Sequence, residues 1–105
     1  MLEVSERERQ LERKFTELSD RIDRETRMLS STTRIVSHPA YQEAIEMGES
    51  AIPLMLRQLR ENPKIRWFTA LKEITGEDPV PASSQGKTKE MIKCWLDWGE
   101  SHYYL

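Results

Sequence analysis

The sequence predicts an all-α protein, with a long N-terminal amphipathic helix over residues 1–30 and a small domain of about four short helices over residues 31–105. Three observations carry this. The stretch from Ser5 to Leu29 contains neither glycine nor proline and repeats apolar residues at helical spacing. The stretch from His38 to Gly76 is punctuated by prolines and glycines where helices would begin and end. Trp67, Phe68, Leu71 and Ile74, and later Met91, Trp95 and Trp98, recur at the three- and four-residue intervals of a single helix face.

Ser5 and Glu8 have the spacing of a capping box at the start of the long helix. Val4, Leu11, Phe15, Leu18, Ile22 and Leu29 follow a heptad seam, interrupted by Glu8 and Glu25. Glu3–Arg7, Glu17–Arg21, Asp20–Arg24 and Asp23–Arg27 add acid-before-base pairs, each worth about 0.2–0.5 kcal/mol. About 25 helical residues span roughly 37 Å, whereas the remainder would pack into a globule roughly 29 Å across. A helix that overhangs its own domain, with a seam this narrow, suits another helix. Leu11, Phe15, Leu18, Ile22 and Leu29 are therefore the candidate dimer or partner contacts, and Phe15→Glu with Leu18→Glu is expected to abolish association while leaving residues 38–100 folded. The alternative is that the helix bends back and packs wholly in cis.

Ser30 to Thr33 interrupts the pattern, because short hydroxylated side chains compete for backbone hydrogen bonds. Ile35 and Val36 offer an apolar anchor ahead of a cap at Ser37 or His38. Pro39 suits the first turn of a helix, where its missing N–H would have no partner. Gly48 reads as that helix's stop. Ser50 is the next expected N-cap, with Pro53 in the first turn behind it. Asn62-Pro63 would repeat the device, and Gly76 would close a third helix. Tyr41, Ala44 and Ile45 share one face, as do Ile52, Met55, Leu56 and Leu59, while Arg57 and Arg60 point elsewhere. Glu77 to Gly86 is a proline- and serine-rich loop. Lys87 to about Glu100 forms the last helix, with Ile92 and Leu96 beside its main apolar face. The two tryptophans one turn apart read as a core wedge. The tail from His102 to Leu105 would either dock back on the core or sit in a partner.

The words His38-Pro39-Ala40-Tyr41-Gln42, Met47-Gly48, Ala51-Ile52-Pro53-Leu54, Trp67-Phe68-Thr69-Ala70-Leu71, Ile74-Thr75-Gly76, Pro79-Val80-Pro81 and Trp98-Gly99 give the chain a likeness. Over His38 to Gly99 it resembles a small uncharacterised bacterial protein family, and its stacked helices resemble a single HEAT or armadillo unit. The resemblance implies a HEAT-like bundle and brings no catalytic residue with it. One such unit cannot bury its own apolar face, so the flanking helices must cover it.

Composition narrows the function. The chain has 105 residues, 37% hydrophobic and 32% charged, against roughly 45–50% and about 25% in ordinary globular domains. That leaves much solvated surface. A net charge of −2 supplies no global attraction to nucleic acid or acidic membranes. No stretch reaches the roughly 20 apolar residues of a membrane span, and the N-terminus lacks the apolar core of a signal peptide. A single cysteine, Cys94, fits a reducing cytoplasm. It has no neighbouring histidine to make it a nucleophile, no histidine or cysteine cluster has metal-ligand spacing, and no glycine-rich phosphate loop occurs. No cofactor or metal is expected.

His38, Tyr41 and Gln42 are the nearest approach to a polar constellation, and with Arg57 and Arg60 they are the candidate recognition residues. Ala44, Gly48 and the arginine-bearing helix behind them loosely resemble a helix–turn–helix, so a dimeric DNA-binding regulator is the alternative function. Against it, residues 31–105 carry nine Lys or Arg and ten Asp or Glu, a mixed field for phosphates. The preferred reading is a non-catalytic protein–protein interaction or regulatory module of antitoxin- or immunity-like kind. It would form a homodimer or heterocomplex through its long helix and have no membrane partner.

Overall fold

The computed structural model describes residues 6–27, 32–63 and 65–105. Its elements in order are α1 (Glu6–Thr26), α2 (Thr32–Ser37), α3 (Pro39–Glu46), a 3-10 turn (Gly48–Ala51), α4 (Ile52–Glu61), α5 (Phe68–Thr75), a second 3-10 turn (Ala82–Ser84) and α6 (Thr88–Ser101). No strand occurs among the described residues. The protein is all-α, with a long N-terminal helix followed by shorter ones. No helix among the described residues is long and apolar enough to cross a membrane.

Several boundaries follow from local chemistry. His38 takes an extended conformation and its Nδ1 accepts the Ala40 N–H at 3.0 Å, which caps α3 ahead of Pro39. Gly48 has φ +66°, a left-handed conformation glycine adopts without strain, so α3 stops there. Gly76 ends α5 at φ 73°, its N–H bonded to the Lys72 carbonyl.

Other boundaries differ from expectation. Ser50 does not cap α4; it lies inside the 3-10 turn, and α4 begins at Ile52 with no side-chain cap. Asn62-Pro63 does not open a helix either. Proline disfavours helical backbone in the residue before it, and Asn62 sits at φ −158°, ψ 81° as the C-cap of α4. α5 waits until Phe68, because Ile65 and Trp67 are drawn into the core from the connecting segment. Ile35 and Val36 belong to a short helix of their own, α2, and pack partly buried against the core.

The largest correction concerns α1. Phe15, Leu18 and Ile22 are 2%, 6% and 0% exposed, packed in the chain's own core, while Leu11 is half-buried and Leu29 lies outside the described residues. Ser19 and Thr26 are buried beside them. Phe15, Leu18, Ser19, Ile22 and Thr26 together make the wider stripe of a helix lying on a globular core, not a coiled-coil seam. The molecule is also far from spherical, at 45 × 33 × 23 Å. A 21-residue helix, about 31 Å long, fits along it.

Candidate interaction surface

The centre of the molecule is Trp67, fully buried. Phe15 meets it at 5.0 Å between ring centroids and Tyr41 stacks on it at 5.1 Å. Its indole N–H donates to Gln58 Oε1 at 2.9 Å, and the Gln58 amide donates to Ser19 Oγ at 2.8 Å. α1, α4 and the approach to α5 are thus tied by one polar chain in an apolar setting, where such bonds specify register.

The candidate recognition residues are spent on similar work. The Tyr41 hydroxyl accepts the Ala70 N–H at 3.0 Å. Burial pushes its pKa up to about 12. The Gln42 amide donates to the Val36 carbonyl at 2.8 Å, tying α2 to α3. His38 uses Nδ1 for the cap, which leaves Nε2 to donate to Glu25 of α1 at 2.7 Å. That hydrogen bond is the main reason the Glu25 carboxyl is held below its ordinary value. Arg57 turns to Glu12 of α1 at 3.3 Å, while Arg60 lies on the α6 side. The five residues do not converge on one surface.

α4 is moreover a central helix, with Ile52, Leu54, Met55, Leu56 and Leu59 all buried. α4 has α1 on one flank and α6 on the other, with Arg57 and Arg60 about half exposed.

One open surface lies beside α6. A groove of about 450 Å³ is lined by Arg60, Lys89, Ile92, Lys93, Leu96, Asp97, Glu100 and Leu105. Ile92 and Leu96 are half-buried along its floor, and Leu105 remains 41% exposed. The tail reaches it by turning back. Tyr103 takes φ 64°, the Tyr104 N–H bonds to the Gly99 carbonyl at 2.8 Å, and Trp98 stacks with both His102 and Tyr104. Gly99 makes room for this, since a Cβ there would lie 2.6 Å from Leu56 Cδ1 and 3.2 Å from Leu105 Cδ1.

The rim of the groove is charged in an ordered way. Lys89 and Lys93 stand toward the start of α6, Asp97 and Glu100 toward its end. Lys93 pairs with Asp97 at 2.8 Å, and that carboxylate raises the pKa of the ammonium group. Lys89 and Glu100 make no ion pair among the described residues. The sequence reading missed this surface because the Trp95 and Trp98 face dominated α6. The available signal was an apolar pair, Ile92 and Leu96, off the core face and between lysines and acids.

Among the described residues no group of three or more His, Cys, Asp or Glu could hold a metal ion. Compared with protein-family models, curated proteins and solved structures, the chain matches none.

Proposed function

We propose that this chain is a non-catalytic, cytoplasmic protein-interaction module that engages its partner through the groove between α4 and α6. The observation that carries the reading is the groove itself, in which Ile92, Leu96 and Leu105 stay accessible inside a rim of both charges. An apolar floor within a polar, charged rim is the anatomy of a protein–protein contact. The polar groups at the molecule's centre support the same reading, because Ser19, Gln58, Trp67 and Tyr41 are engaged in holding helices together. The single Cys94 supports the compartment.

A photo-crosslinking side chain at Leu96, in the full chain made in its native cells, tests the proposal. One discrete protein adduct is expected from Leu96 and none from Thr16, on the exposed face of α1. Crosslinking to nucleic acid, or adducts from Thr16 alone, would overturn it.

A further inference from the structure

We propose that the occupant of the α4–α6 groove is a second copy of this chain, docked through α6 in an antiparallel, two-fold arrangement. The inference rests on the reading of the groove as an interaction surface and names its partner.

Charge complementarity identifies the occupant. Lys89, Lys93, Leu96 and Glu100 fall within one narrow strip of α6, because residues four, seven and eleven apart return to nearly the same side of an α-helix. The strip runs from basic to acidic. That order opposes the helix dipole, which favours acids at the N-terminus and bases at the C-terminus. The last turn of α6 contains no basic residue. Charges set against their own helix are better served by a neighbouring helix of opposite direction, whose acidic end lies beside the first helix's basic end. Antiparallel pairing also opposes the two helix dipoles.

The strip is self-complementary under a two-fold axis, as an isologous interface requires. Lys89 of each copy meets Glu100 of the other, with the Ile92 and Leu96 floors apposed between the two ends. Lys89 and Glu100, about 16 Å apart along the helix, are the two strip charges without an ion pair among the described residues. A partner carrying only one sign of charge would satisfy half the rim and oppose the other half.

Sedimentation of the full chain with a charge swap tests this. The wild type should show a concentration-dependent monomer–dimer equilibrium that weakens with added salt. Lys89→Glu and Glu100→Lys should each raise the dissociation constant at least ~10-fold, because each sets like charges together at both symmetric contacts. The double variant Lys89→Glu/Glu100→Lys should recover the wild-type constant, since every cross-copy pair is restored with its signs exchanged. Circular dichroism should give the same helix content for all four proteins. A wild type that stays monomeric at millimolar concentration overturns the inference, as does a double variant no tighter than either single. If the wild type is monomeric while the Leu96 crosslink still yields one different protein, self-association fails and the interaction reading stands. If a dimer forms but neither single variant weakens it, the copies meet elsewhere and self-association through the groove fails, while the Leu96 crosslink still decides the interaction reading.

Discussion

The indole N–H of Trp67 donates to Gln58 Oε1 at 2.9 Å, and this bond lies at the point where three helical segments meet. Trp67 is fully buried, so without Gln58 its N–H would have no water to turn to. An orphaned buried donor costs about 1–3 kcal/mol. Gln58→Leu should therefore destabilise the chain by that amount, lowering Tm by roughly 4–8 °C per kcal/mol in a domain of this size. Combining it with Trp67→Phe should cost less than the sum of the two single changes, which a thermal double-mutant cycle would measure.

Phe15 packs on Trp67 and is 2% exposed, so its removal should act on folding and not on association. Phe15→Ala should cost about 3–5 kcal/mol. Phe15→Glu with Leu18→Glu should unfold residues 38–100 together with α1. Denaturant unfolding followed by circular dichroism decides this; a double variant that keeps its helix content would mean that α1 is dispensable to the core.

Tyr41 lends its hydroxyl to the buried Ala70 N–H. Tyr41→Phe should cost about 1–3 kcal/mol at neutral pH. Its folded-state pKa of about 12 lies above the ordinary value of 10.0. The protonated tyrosine therefore contributes stability that is complete below pH 10.0 and is lost as the pH rises toward 12. Wild type should lose stability over that alkaline interval, by ~3 kcal/mol for a shift of this size, and Tyr41→Phe should lose less.

Glu25 carries the opposite sign. Its carboxyl is held below the ordinary 4.5 chiefly by the His38 hydrogen bond, so its contribution is full above that value and disappears as pH falls through the folded-state value. The stability difference between wild type and Glu25→Gln should be full above pH 4.5 and shrink toward zero as the pH falls below it. A difference that stays constant across acid titration would mean the pair does not help dock α1.

Gly99 sits where α4, α6 and the returning tail approach each other. Alanine would gain up to about 1 kcal/mol in helix propensity. Its Cβ would nevertheless lie 2.6 Å from Leu56 Cδ1, and Leu56 is fully buried. Overpacking of this kind costs about 1–3 kcal/mol, so Gly99→Ala should lower stability on balance, as a thermal melt would register.

Features that depend on near neighbours along the chain are legible in the residues alone. The helical class, the cap at His38, the stops at Gly48 and Gly76 and the last helix all rest on contacts within a turn or two, where residue type and spacing suffice. Even there, Asn62-Pro63 misleads as a helix opening, because proline also ends the helix before it; the burial of Ile65 and Trp67 goes with that second role. Where each apolar face goes depends on long-range packing. Ser19 and Thr26 look like solvated residues until Gln58 and the core close over them, and their burial turns the seam of α1 into an internal stripe. The candidate surface was legible only as scattered letters, Lys89, Ile92, Leu96 and Glu100. Which of two adjacent stripes on α6 is covered depends on α4, Gly99 and a tail that turns back at Tyr103. Burial is a property of what arrives from elsewhere in the chain, and helical periodicity does not encode it.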